Sequence, residues 1–275
     1  MTTSVDNWVR DPRFAGQFYP QNSPALSAML DRLVPASHPR KTVLACMMPH
    51  AGYVFSGRIA GSVSSRLRVP ERVVVIGPNH TGAGPSRSIW SRGRWRTPLG
   101  EVPVDELFCR QLRERCPWLV EDRDAHGGEH SIEVELPFLQ HAAAQPFSLC
   151  PIILGPLTLP ECLELGRALA ESVAKSGGET LLIASSDMSH FISAEAAKRL
   201  DDLALREIET RDPVGLFGTV RDNRISMCGV IPMTVVLEAS NRLGASDAEL
   251  TGWDHSGSVT ADLARVVAYA GAIIS

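Results

Sequence analysis

The sequence predicts an α/β protein, a single three-layer αβα domain with helices on both faces of a central, mostly parallel or mixed sheet. Three observations carry that expectation. Apolar runs of strand length alternate with stretches of helical period. The runs are apolar along their whole length rather than at every second residue, as strands covered on both faces must be. No Pro/Gly/Ser-rich linker, internal repeat or low-complexity segment divides the chain, so one domain is expected over residues 1–275.

The expected strands are "TVLACMM" (42–48), "RVVVIG" (72–77), "SLCPIIL" (148–154), "TLLIASS" (180–186) and "RVVAYAGAI" (265–273). Between them lie the expected helices. "SPALSAMLDRLV" (23–34) has a Ser cap, Pro at its first position, Leu26, Leu30 and Leu33 on one face and Pro35 as its stop. "SGRIAGSVSSRL" (56–67) sets Ile59, Val63 and Leu67 four apart, and "PECLELGRALAESVAKSGG" (160–178) ends in a Gly pair suited to a helix C-terminus. Residues 193–212 and 232–244 complete the helical set, the last starting at Pro232 and stopping at Gly244. "SRSIWSRGRWRTPLG" (86–100) reads as an edge hairpin with arginine stems over tryptophan faces.

A chain of 275 residues with 44% apolar and 21% charged residues has the composition of a soluble globular protein. Its net charge of −4 gives no reason to expect nucleic acid or an anionic membrane as partner. No apolar run could serve as a signal-peptide core or span a bilayer, so a cytoplasmic location is expected. The six cysteines show no C-x-x-C pairing, which argues against a zinc ribbon or a dithiol motif. Dinucleotide and phosphate-loop fingerprints are also missing, as is the G-x-S-x-G elbow of a serine hydrolase.

In open α/β sheets, functional groups collect in loops beyond the carboxyl ends of the strands. Three runs deliver them there: "TVLACMMPHAGY" brings His50, "VVVIGPNHTG" brings His80, and "TLLIASSDMSHF" brings Asp187 and His190. His50 and His80 are thirty residues apart, about one βαβ unit, so a right-handed crossover is expected to set their loops side by side. Paired imidazoles suggest a metal. Cys228, just before the 232–244 helix, is the best-placed cysteine to join them, with helix-terminal amides favouring its thiolate. In "HGGEHSIEVELPFLQH" (126–141), Ile132, Leu136 and Leu139 have helical spacing. Glu129 and His130, as sequence neighbours, cannot share a helix face, so one is expected in the site and the other behind it. Glu133 and Glu135 read as surface residues.

"FAGQFYP", "PHAGYVFSG", "GPNHTG", "RTPLGEVPVD", "EHSIEVELPFLQ", "SSDMSHF" and "CGVIP", in that order along nearly the whole chain, resemble the Memo family. The resemblance implies a domain similar to class III extradiol dioxygenases, non-heme iron enzymes that open catechol rings. It also implies a pocket holding His50, His80 and Cys228 as ligands of iron or copper, redox chemistry, and a radical-SAM protein as a partner in bacterial and archaeal members. The related dioxygenases use two His and a carboxylate; a softer thiolate admits copper or zinc beside iron. By the same resemblance His190 is the acid/base with Asp187 orienting it, Glu129 or His130 is a second group for proton transfer, and Tyr53 and Asn79 meet the substrate.

The first expectation is therefore a non-heme iron oxidoreductase of extradiol-dioxygenase type acting on a small, aromatic substrate. Two other readings accompany it. One is a non-catalytic adaptor that keeps a residual pocket for a peptide or protein; the other is a zinc-dependent hydrolase with Glu129 as base.

Overall fold

The computed structural model describes residues 8–36 and 39–275; residues 1–7, part of the stretch read for a signal sequence, and 37–38 lie outside it. Four parallel strands form its centre, in the spatial order Ala45–Met48, Thr180–Ser185, Arg72–Pro78 and Ser148–Leu154. Every residue of the first two is buried, as is all of the third after Arg72. This is why their sequences lack alternation: helices cover both faces. Further strands, all but one paired antiparallel, extend the sheet to nine. Val266–Ile274 pairs with Ala45–Met48 on one side and Ala248–His255 on the other, while Arg87–Ile89 pairs with Ser148–Leu154.

Helices Ser23–Leu33, Tyr53–Ser64 and Leu136–Ala142 pack together on one face. Glu106–Arg115, Leu159–Ser176, Ala194–Glu209, Pro213–Asp222 and Val230–Arg242 pack together on the other. The result is the expected αβα layering around a mixed sheet. One contiguous buried cluster runs from Tyr19 to Ile274, and Leu26, Leu30, Ile59, Val63 and Leu67 are buried as their spacing predicts.

Several boundaries differ from the expectation. Asn22, rather than Ser23, caps the first helix, its side chain accepting from the Ala25 N–H. The second helix starts at Tyr53, three residues before its expected start, so the loop bearing His50 passes straight into it. Glu106–Arg115 and Pro213–Asp222 carry cap signals that the apolar periodicity obscured. Asp105 accepts from the Phe108 N–H, and Asp212 from those of Val214 and Gly215. Only Leu136–Ala142 of the 126–141 segment forms its longer helix, after a tight turn at Asp124–Gly127.

The segment 86–100 is divided between two sheets. Arg94–Thr97 and Gly100–Pro103 form a hairpin that pairs with Val9–Arg10 in a separate sheet of three strands. Arg87, Arg92, Arg94 and Arg96 all pair with carboxylates, and Arg87 and Arg92 lie over Trp118 and Trp8. Trp90 and Trp95 of this segment, read as a solvated edge hairpin, are buried. Among the described residues no helix is long and apolar enough to cross a membrane.

Candidate metal centre

The strand order revises the simple crossover: Thr180–Ser185 lies between the strands that deliver His50 and His80. Two strand spacings amount to about 9–10 Å, yet the two rings are 5.1 Å apart between centroids. Both loops fold inward over the end of the central strand. That strand contributes a contact the sequence reading missed, Ser185 Oγ at 2.7 Å from His50 Nδ1. Ser185 in turn donates to the Ser131 carbonyl at 2.6 Å, so its oxygen accepts from Nδ1–H and the His50 Nε2 lone pair is left free.

Cys228 Sγ lies 3.3 Å from His50 Nε2 and also accepts from the Asp187 N–H at 3.1 Å. A side chain at Gly229 would run into Ser186 and the Ser185 carbonyl, so its absence lets the Val230–Arg242 helix begin against the strand end and deliver this thiol. The expected helix-end stabilisation of the thiolate does not prevail. Burial pushes the thiol well above its ordinary range, and the neighbouring Asp187 carboxyl adds to the effect.

His80 is held from behind. Its Nδ1 meets Glu129 Oε1 at 2.9 Å, and its backbone N–H reaches Oε2 at 2.6 Å. The amides of His130 and Ser131 also donate to Oε1, at 2.9 and 3.0 Å. Burial works to raise the Glu129 pKa, but the His80 and His130 interactions and the Ser131 amide outweigh it and hold the group at about 2. Glu129 is thus a fully ligated carboxylate that orients the imidazole, with little basicity of its own.

One donor atom from each of His50, His80 and Cys228 lies within 4.8 Å of the others. Two imidazoles and a thiol, with Nδ1 of both rings held by protein groups, are a donor set suited to iron, copper or zinc. His50 is buried and its pKa is pushed down by that burial and by the neighbouring imidazoles; the His80 side chain is 33% exposed and leaves one side accessible. A second grouping of His80, Glu129 and His130 is as compact, but the hydrogen bonds already made by Glu129 account for it.

His130 stacks on His80 at 4.7 Å and meets His50 edge-on at 5.2 Å, so "EHS" sends one residue behind the site and the other into it, as expected. Burial lowers its pKa to about 4 against the pull of Glu129. Phe14 and Phe18 pack on its ring at 5.4 and 4.8 Å. They are fixed there by Glu133, which the sequence reading put on the surface and which is in fact fully buried. Glu133 pairs with Arg10 and accepts from the N–H groups of Arg13 and Phe14 and from the Tyr19 hydroxyl. Arg10 also donates to the His126 and Glu129 carbonyls, tying the N-terminal segment to the loop that bears His130.

The remaining expected residues divide. His190 donates its backbone N–H to Ser226 Oγ at 2.8 Å, and its Nδ1 lies 3.0 Å from the Ser226 carbonyl, which can only accept. Nε2 is therefore the unprotonated nitrogen of the neutral ring. Ser226, two residues before Cys228, does the orienting expected of Asp187. Asp187 Oδ1 instead accepts from the His50 N–H at 2.9 Å, and burial raises its pKa to about 6. The Tyr53 side chain is engaged elsewhere: its ring packs between Tyr19 and Phe138, and its hydroxyl donates to the Val134 carbonyl at 2.7 Å. The Asn79 side chain is engaged by its own loop, accepting from the Thr81 and Gly82 N–H groups and donating to the Ala83 carbonyl.

Comparison with known proteins bears on the family and the fold. Residues 10–273 match the family described as Memo-like protein. Among similar proteins, each named a MEMO1 family protein, that of Archaeoglobus fulgidus is 40% identical over 96% of this chain and 99% of its own. That of Methanosarcina barkeri is 39% identical over 97% and 100%, and that of Aquifex aeolicus 37% identical over 96% and 98%. A solved structure, an uncharacterized protein from Escherichia coli K12, shares the fold with a TM-score of 0.58 at 15% identity, over 84% of this chain and all of that one. Near-full-length identity with these relatives and the family match over residues 10–273 show that the chain belongs to the Memo-like protein family.

Proposed function

We propose that the protein is a non-heme metal oxidoreductase of extradiol-dioxygenase type, with iron held by His50 Nε2, His80 Nε2 and Cys228 Sγ. The observation that carries this reading is the convergence of those three donors while Ser185 and Glu129 occupy the far nitrogens of both rings. Iron bound there would supply Lewis acidity and electron transfer toward a substrate and O₂. The chain's own residues would do the rest. His190, with Nε2 free, takes a proton from a substrate hydroxyl. Phe14, Phe18 and the His130 ring offer an aromatic wall against which a small aromatic substrate can stack. Glu129 does not suit the role of base in a zinc hydrolase, because four donors already hold it ionised.

Metal analysis of anaerobically purified protein, followed by O₂ uptake with a panel of catechols, tests the proposal. Stoichiometric iron, lost in His80→Ala and Cys228→Ala, with catechol-dependent O₂ uptake is the expected result. Metal content unchanged in both variants would overturn the ligand assignment. Zinc with esterase activity and no O₂ uptake would overturn the chemistry.

A further inference from the structure

Asp201, on the helix Ala194–Glu209, is a buried aspartate outside the three-donor cluster. Its Oδ1 accepts from both the N–H and the hydroxyl of Ser189, at 3.1 and 2.6 Å, and its Oδ2 accepts from Trp253 Nε1–H at 2.9 Å. Among the described residues no cation pairs with it; Lys198, one turn earlier on the helix, pairs with Asp202. Both oxygens are occupied by hydrogen bonds, so this side chain acts as a clamp rather than as half of an ion pair.

What it clamps is the residue before His190. Ser189 stands between His190 and Asp187, whose carboxyl accepts from the His50 N–H and whose own N–H reaches Cys228 Sγ. The strand Val266–Ile274 grips the same stretch: the Met188 N–H donates to the Ala268 carbonyl and the Ala268 N–H to the Ser189 carbonyl, both at 2.8 Å. Immediately after His190 the register shifts, His190 facing Val267 and Ile192 facing Val266. Phe191 is extruded there at a φ of 60°, a left-handed backbone that a bulky residue rarely adopts, and it is 61% exposed, so packing does not compensate. Strain of this kind persists only where the flanking residues are held. Ser189, held by Asp201, supplies that hold on the His190 side.

We propose that Asp201 is a positioning residue for His190: by holding the N–H and the hydroxyl of Ser189 on one oxygen, it sets the direction in which the chain enters His190 and keeps that ring on the Ser226 carbonyl with Nε2 free. No covalent or redox step is involved. Loss of the clamp leaves two buried donors of Ser189 without an acceptor, and the chain relaxes at the strained Phe191, carrying the His190 ring off the carbonyl that fixes its tautomer.

The inference rests on His190 being the proton acceptor only for its effect on turnover, so the first measurement needs neither metal nor substrate. Nitrogen-15 NMR of the full chain reads the His190 tautomer, and urea unfolding reads stability. Wild type is expected to show Nδ1–H alone. Trp253→Phe removes the donor at the other oxygen, so it lowers the urea midpoint and keeps the tautomer. Asp201→Ala makes the tautomer mixed, and in iron-loaded protein kcat with catechol falls roughly 10- to 100-fold while KM stays close to wild type. In Asp201→Asn the amide oxygen serves Ser189 only if its NH₂ faces the Trp253 N–H, so the tautomer is partly mixed; Asp201→Asn/Trp253→Phe removes that conflict and restores it. The last pair keeps the test open should Asp201→Ala not fold. A wild-type tautomer in Asp201→Ala, a mixed one in Trp253→Phe, or no restoration in the double variant would each overturn the proposal. If the tautomers behave as expected but wild type shows no catechol-dependent O₂ uptake, the positioning role stands and the proposed chemistry falls.

Discussion

His50, in a loop, and His126, in the short helical turn Asp124–Gly127, are both buried imidazoles that precede small residues, and they are put to opposite use. His50 has a hydroxyl on one nitrogen and a thiol at the other. His126 has no exposed surface and no hydrogen-bond partner on either ring nitrogen; Trp90 and Trp95 meet it edge-on at 6.0 and 5.9 Å. Its link to the site is through its backbone carbonyl, which accepts from Arg10. Burial alone therefore does not mark a ligand. A directed lone pair facing other donors does, and the difference lies in which strand end each loop rests on.

The largest test of this contrast concerns the seal between the two regions. Arg10 and Glu133 form a buried pair, and removing one partner leaves an uncompensated charge in the interior. Arg10→Met should destabilise the protein by roughly 3–5 kcal/mol, as read from urea unfolding. The double variant Arg10→Met/Glu133→Gln should recover part of that loss. A loss below about 1 kcal/mol in the single variant would mean that the pair is not buried as described.

Next in size is the support of His80. Glu129→Gln keeps the shape of the side chain but removes its charge, and affinity for added Zn²⁺ or Co²⁺ should fall roughly 10- to 100-fold in competition titrations. The fold should survive, because the backbone donors at His130 and Ser131 can still reach the amide oxygen. Unchanged affinity would assign Glu129 a purely structural role.

The central strands were legible because full burial on both faces leaves uninterrupted apolar runs, and the histidines were legible because they follow those runs. Glu133 and Glu135 were not. Their spacing in "EVE" is that of any solvated segment; Glu133 is covered by Arg10 of the N-terminal strand Val9–Arg10, more than a hundred residues away, and Glu135 is buried among residues as distant in sequence. Ser185 and Ser226 were missed for a related reason: a serine hydroxyl becomes a support for histidine only through geometry, and nothing in "SSDMSH" or "ISMCG" separates a supporting serine from any other. Asn79 and Tyr53 illustrate the converse. Each lies near a ligand in sequence, but a turn and a helix start direct their side chains elsewhere.

His126 supplies a test in which stability alone should move. Burial lowers its pKa to about 3, so the folded state holds it neutral while the unfolded chain protonates it below its ordinary value of 6.5. Its contribution to stability is present above pH 6.5 and is lost as pH falls from there toward 3. At pH 5 the loss is about 2 kcal/mol. His126→Leu should remove that part of the acid sensitivity and leave metal affinity at neutral pH unchanged. A drop in metal affinity in this variant would join the two regions that the structure keeps apart.

The smallest effect is expected at Ser226. Two contacts hold His190 to this residue, and they differ in origin: the hydroxyl accepts from the His190 backbone, whereas the ring nitrogen is fixed by the Ser226 carbonyl. Ser226→Ala removes only the first, worth about 1 kcal/mol as a net hydrogen bond and less where water can replace it. The carbonyl remains, so the His190 tautomer measured by nitrogen-15 NMR should be that of wild type, and the turnover attributed to its free Nε2 should persist. A mixed tautomer in this variant would show that the hydroxyl, not the carbonyl, aims the ring. His190 would then depend on a side chain for its orientation, as His50 does on Ser185.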